Sequence, residues 1–270
     1  MPTLPPGQEQ YSARSSHQHR DVAEAFGADA ERYDRARPSY PKALIDRILA
    51  ACPGADVLDI GCGTGIVARQ FQAAGCQVLG VDPDARMADL ARRAGLQVEV
   101  AKIEDWDPAG RCYDVAVAGQ AWHWVEPVAG TARVAQALRP GGRLAVFWNA
   151  FQLPGDLGEA VAAVCRRVLP DAPMFHRPSP GAEAYATMCE KTADGIRQTP
   201  GFGDVERWRF DWERSYTRDE WLDMTLTAGF VSRFPRATLD ELLADTGAAI
   251  DAAGGSFVTQ FATVVVTASR

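Results

Sequence analysis

Val57-Leu58-Asp59-Ile60-Gly61-Cys62-Gly63-Thr64-Gly65 is an apolar run that ends in a glycine-rich turn, and residues at helical spacing follow it from Ile66 to Ala74. A buried strand that stops at such a turn and opens a helix forms a ligand loop. Glycines permit the tight turn and let a ligand approach the bare backbone, at the carboxyl edge where open α/β sheets bind ligands. The loop alone does not name that ligand. A dinucleotide fingerprint, G-x-G-x-x-G, would need its third glycine at position 66, where Ile66 stands, and the spacing here is G-x-G-x-G. Asp59 puts a carboxylate just before the loop, where a cationic amine is more welcome than a pyrophosphate.

Outward from the loop the chain alternates. Asp56 to Ile60, Gln77 to Val81, Gln97 to Ala101, Tyr113 to Ala118 and Arg143 to Trp148 are short β-rich runs. Helical spacing separates them at Ile66 to Ala74, at Ala85 to Ala94 and from Pro127 to Leu138, and the turn Arg139-Pro140-Gly141-Gly142 precedes the last of them. This order predicts parallel strands joined by right-handed helical crossovers. Upstream, Val22, Ala23, Phe26 and Ala30 recur at helical spacing. A second helix opens at Pro41, which suits a first turn where no amide hydrogen is needed. Beyond Asn149 helices are expected at Asp156 to Val168 and Gly181 to Lys191, around the proline-rich stretch Pro170 to Pro180. Strands at Val205 to Trp212 and Phe257 to Ala268 follow. Thr217 with Glu220, and Thr238 with Glu241, have the capping-box spacing that predicts two further helix starts.

Composition narrows the setting. A chain of 270 residues, 47% hydrophobic, has ample material for a buried core. No apolar stretch approaches the roughly 20 residues that span a bilayer, and the first 20 residues, with His17 and His19, read as a polar tail without a secretory segment. Cys52, Cys62, Cys76, Cys112, Cys165 and Cys189 form no C-x-x-C pair, so reduced thiols and a cytoplasmic location are expected. A formal charge of -7 without a Lys/Arg run argues against a nucleic-acid partner.

The loop with Asp59 closely resembles the first motif of class I S-adenosylmethionine-dependent methyltransferases. The resemblance covers roughly residues 24 to 150. It includes Phe26-Gly27-Ala28-Asp29-Ala30-Glu31-Arg32-Tyr33 with Arg37-Pro38-Ser39-Tyr40-Pro41, then Gln120-Ala121-Trp122-His123-Trp124 and Leu138-Arg139-Pro140-Gly141-Gly142. These segments are similar to the small-molecule branch that includes trans-aconitate methyltransferases. The resemblance implies a Rossmann-like, doubly wound α/β sheet of seven strands, mostly parallel with an antiparallel last strand, plus a helical cap. It implies S-adenosyl-L-methionine as cofactor, with Asp59, Gly61, Cys62, Gly63 and Gly65 around its methionine part. Tyr33 and Arg37 would fold over it, Arg37 pairing with its carboxylate. Asp82, followed by Pro83, would take both ribose hydroxyls, one carboxylate oxygen accepting from each, and Met87 would pack on adenine. Lys102 departs from the family pattern, because many relatives carry an acid there for the adenine amino group. The backbone of Ile103 and the nearby Glu104 are the expected substitutes.

On this reading residues 1–20 are a flexible tail, 21–150 the cofactor-binding core with N-terminal lid helices, 151–203 an insertion capping the acceptor, and 204–270 the segments completing the sheet. Methyl transfer needs nucleophile, carbon and sulfur in line, so much of the acceleration can come from positioning. His123 is the candidate base, should the acceptor need one, and Gln120 is expected to contact cofactor or acceptor. His176 could enter the pocket from the insertion. Trp122 and Trp124, if they line the acceptor site, favour a flat or apolar acceptor. No Asn/Asp-Pro-Pro-Tyr sequence follows the fourth strand, and no cluster has convincing metal spacing. The acceptor is thus expected to be a small molecule, with no metal involved. A nicotinamide-dependent oxidoreductase, or a non-catalytic protein that binds the same cofactor, are the alternatives.

Overall fold

The alternating runs form one seven-stranded sheet in the order β3-β2-β1-β4-β5-β7-β6. Its strands are β1 (Asp56–Ile60), β2 (Gln77–Asp82), β3 (Gln97–Val100), β4 (Tyr113–Gly119), β5 (Leu138–Gln152), β6 (Glu206–Thr217) and β7 (Ser256–Ser269). The structure, a computed structural model, describes residues 27, 29–52, 54–229 and 234–270. The expected polar tail and the start of the helix read from Val22 lie outside the described residues. β1 pairs in parallel with both β2 and β4, while β7 runs antiparallel to β5 and β6. The chain therefore winds from β1 toward one edge and returns through β4 toward the other. At that switch point the connections leaving β1 and β4 diverge and open a crevice above their carboxyl ends.

Alternation along the strands explains how the sheet is covered. Leu58, Ile60, Leu79 and Val81 face one side and pack with α5 (Pro127–Ala137) and α7 (Ala186–Gln198). Val57 and Val78 face the other side, against α2 (Lys42–Ala50), α3 (Ile66–Ala73) and α4 (Ala85–Arg93). Successive Cβ atoms of a strand point to opposite faces, so an all-apolar strand is one buried on both. Leu44 and Ile48 of α2 are fully buried, each worth roughly 1.5–3 kcal/mol.

The remaining helices are α1 (Ala30–Ala36), α6 (Gly155–Val168), α8 (Arg218–Leu226) and α9 (Arg236–Ala252). α8 starts at Thr217 with the complete capping box. The second box does not start a helix. α9 begins earlier, with Pro235 as its N-cap at φ −56° and ψ 148°, which leaves Thr238 inside the first turn. Proline's fixed φ suits the start of a helix without a side-chain cap, and Asp240 is engaged by Arg236 at 2.9 Å.

The insertion divides in two. Cys189, Ala193 and Ile196 of α7 belong to the main core on the α5 face. α6 instead packs its C-terminal end with Leu242 of α9. Gly181 to Lys191, expected as one helix, is a short 3-10 turn (Gly181–Tyr185) followed by α7, which continues to Gln198. β5 runs on to Gln152 instead of stopping at Trp148, because β7 pairs with it along that length.

Candidate functional site

The glycine loop leaves β1 beneath two adjoining cavities, of about 450 Å³ and 250 Å³. Tyr33, Arg37, Gly61, Gly63, Gln120 and Tyr185 line both, so they mark the junction. The loop is anchored to the neighbouring strand: the Gly61 amide donates to the Val81 carbonyl at 2.8 Å, and the Gly63 amide donates to Asp82 Oδ2 at 2.7 Å. Gly61 has φ +63°, and a Cβ there would overlap that of Ala121. Gly61→Ala should therefore cost about 1–2 kcal/mol in backbone strain and about 1–3 kcal/mol in overpacking. Differential scanning calorimetry should show a midpoint lowered by roughly 5–15 °C.

Two carboxylates flank the loop in different states. Asp59, 1% exposed, lines the larger cavity and neither of its oxygens makes a hydrogen bond of ordinary geometry. Burial, reinforced by the charge of Asp82, pushes its pKa up to about 8, and the Ala68 amide in the first turn of α3 draws it only partly back. Asp82 lines the smaller cavity and is satisfied on one side, accepting from the amides of Gly63 and, at 2.8 Å, Asp84. Burial raises it to about 6, opposed by those two amides.

Of the residues singled out from the sequence, Asp59 and Cys62 border the larger cavity. Asp82, Pro83, Met87, Ile103, Glu104 and His123 border the smaller. Lys102 borders it too. Gly65 borders neither. At φ +89° it faces Leu96 so closely that a Cβ would collide with it, which makes this glycine a helix-packing residue. Arg37 donates from Nη2 to the Thr227 carbonyl at 2.7 Å and lies 5.1 Å over the Tyr33 ring, while its Nε is buried without a partner.

Gln120 adopts φ +55°, a strained backbone for a side chain with a Cβ. Its amide donates to the Phe147 carbonyl at 2.9 Å and its Nε2 to the Asn149 carbonyl at 3.2 Å. His123 accepts at Nδ1 from the Trp148 indole at 3.3 Å. Its ring lines the smaller cavity, and burial lowers its pKa to about 4. Trp122 is a core residue, 1% exposed, and Trp124 joins the smaller cavity. Neither tryptophan lines the larger one. His176 lines neither cavity, since its Nε2 is held 2.8 Å from the Leu169 carbonyl.

Several residues of the larger cavity were not among those singled out. Tyr40 stands within the quoted Arg37-Pro38-Ser39-Tyr40-Pro41 segment, which was the available signal. Asn149 directly follows the run read as the fifth strand, and donates from Nδ2 to the Ser39 carbonyl at 3.2 Å while Oδ1 accepts from Thr263 at 2.6 Å. Trp221 and Met224 of α8 and Phe261 of β7 come from the C-terminal part, where apolar spacing alone reads as core.

The family described as Methyltransferase domain matches residues 33–253. An uncharacterized methyltransferase of Mycobacterium tuberculosis is 41% identical over 133 residues, 48% of this chain and 54% of that protein. A trans-aconitate 2-methyltransferase of Mycolicibacterium gilvum is 32% identical over 145 residues, 53% of each chain. The chain thus spans about half the length of these curated relatives. A solved structure of a putative type II methyltransferase from Anaeromyxobacter dehalogenans shares the fold, with a TM-score of 0.60 and 24% identity over 86% of this chain and 97% of that one.

Proposed function

Because the chain belongs to the class I S-adenosylmethionine-dependent methyltransferases, we propose that it moves a methyl group from S-adenosylmethionine to a small organic acceptor, mainly by holding the two in register. The observation that carries this reading is Asp59: a buried carboxylate with no ordinary hydrogen bond, beside a glycine loop, is chemically suited to a cationic partner. When bound, S-adenosylmethionine supplies an electrophilic methyl group on a sulfonium. On this reading Asp59 faces its ammonium and Arg37, with a buried unpartnered Nε, faces its carboxylate. Asp82 takes the ribose, and Met87, Ile103 and Glu104 enclose adenine in the smaller cavity. The larger cavity beyond Gln120 receives the acceptor. The cysteines are all unpaired, which supports a cytoplasmic setting.

The reading gives His123 no base role. Trp148 can only donate, so Nδ1 is committed as an acceptor and the neutral ring carries its proton on Nε2. A pKa of about 4 keeps it neutral throughout the physiological range. Its function is to wall the smaller cavity, where its ring lies 4.7 Å from that of Trp124. Calorimetry should give saturable binding of S-adenosylhomocysteine, and absence of binding to folded protein would remove the proposal. His123→Ala should weaken that binding several-fold and, in a separate methyl-transfer assay, leave kcat within about twofold. A kcat lowered more than tenfold with unchanged affinity would restore the base.

A further inference from the structure

The larger cavity changes character away from the glycine loop. Near the loop it presents Asp59, Arg37, Gln120 and Tyr40. The part of its wall built by the later elements is mainly apolar, with Ala162 of α6, Trp221 and Met224 of α8, Leu242 of α9 and Phe261 of β7 beside the hydroxyl residues Thr225 and Thr246. Among the described residues, one charged side chain lines this outer part, Arg177, on the stretch between the 3-10 turns Pro173–Phe175 and Gly181–Tyr185. Arg177 is exposed and makes no ion pair with any described residue. Met174, also lining the cavity, is 50% exposed, so an apolar and a cationic side chain both line the cavity where it meets water.

Resting on the methyltransferase reading above, we infer that the acceptor is an apolar monoanion whose body fills the outer cavity and whose acidic group meets Arg177 at the rim. Burying a charge without a partner is costly, so a polycarboxylate would leave charges facing Trp221, Met224 and Leu242. A cationic acceptor fares no better: among the described residues the only carboxylate lining this cavity is Asp59, which the cofactor's ammonium claims. An apolar body, by contrast, gains from every contact with these walls. The single guanidinium at the water boundary supplies the orientation, through a charge-assisted pair that needs no buried counter-ion. Rim charge then fixes which end of the acceptor enters first.

Calorimetry on protein saturated with S-adenosylhomocysteine tests this with octanoate, 1-octanol and citrate. Octanoate should bind at least tenfold more tightly than citrate. Arg177→Gln, a change on an exposed side chain, should weaken octanoate about tenfold and leave 1-octanol unchanged. Cys165→Phe, which narrows the apolar part of the cavity, should weaken both. Citrate binding more tightly than octanoate, no octanoate binding, or equal losses for octanoate and octanol in Arg177→Gln would overturn the inference. Failure of S-adenosylhomocysteine itself to bind strikes instead at the methyltransferase reading, and the two failures are thereby told apart.

Discussion

Asp59→Asn is expected to weaken S-adenosylhomocysteine binding by roughly 100-fold, about 3 kcal/mol, while raising the thermal midpoint of the ligand-free protein. Both effects follow from one fact: a carboxylate 1% exposed, without an ordinary hydrogen bond, beside the charge of Asp82. Its folded pKa of about 8 lies above the roughly 3.9 of an unfolded aspartate. The ligand-free fold therefore keeps a proton there that the unfolded chain releases, and its stability falls as pH rises from about 4 to about 8 and then levels off. Asparagine removes that dependence. Near pH 8 the gain should be on the order of 2–5 kcal/mol, or roughly 5–10 °C, a stability gained at the expense of function. Binding by the unsubstituted protein should rise with pH up to about 8, because below that Asp59 must lose a proton before it can pair with the ligand's ammonium. The acid limb should vanish in Asp59→Asn. An unchanged acid limb, or an unchanged midpoint, would show that Asp59 is not the cation's partner.

Local physics made one half of the site legible. The run from Val57 to Gly65 states a strand and the turn that opens a helix within nine residues, and Asp82 sits at the end of the next strand, hydrogen-bonded to the loop's own amide. The capping box at Thr217 was equally readable, because threonine and glutamate satisfy each other three residues apart. The same spacing at Thr238 failed because Pro235, upstream of the pattern, had already begun the helix. What escaped the sequence depends on distant partners. His123 looked like a base by residue type and by its position after a strand. Its Nδ1 accepts from Trp148, on β5, and nothing near His123 in the chain announces that bond. Gly65 looked like part of the ligand loop, but its contact is Leu96, after α4. The outer acceptor cavity is built from α6, α8, α9 and β7, and their apolar spacing is the same whether a side chain faces a core or a ligand.

Asp82 has two separable duties, and replacing it should expose both. Its oxygens hold the amides of Gly63 and Asp84, so Asp82→Ala leaves two donors without their acceptor, at about 1–3 kcal/mol each where water cannot reach them. The loop should loosen, and S-adenosylhomocysteine affinity should fall at least 100-fold. That loss alone does not distinguish a ribose contact from a scaffold. The 2′-deoxy analogue does. If the carboxylate accepts from the diol, the unsubstituted protein should prefer S-adenosylhomocysteine over the deoxy analogue by tenfold or more, and Asp82→Ala should bind both about equally. A preference that survives the substitution would leave Asp82 as a tether for the loop and move ribose recognition elsewhere in the smaller cavity. The pH dependence supplies an independent check. The ligand-free carboxyl titrates at about 6, and only its ionised form accepts from both hydroxyls. The preference for the diol should therefore decline as pH falls below 6, whereas the ammonium contact at Asp59 governs affinity near pH 8. Two carboxylates, raised to different degrees by the same burial, thus give the two ends of one ligand separate pH signatures.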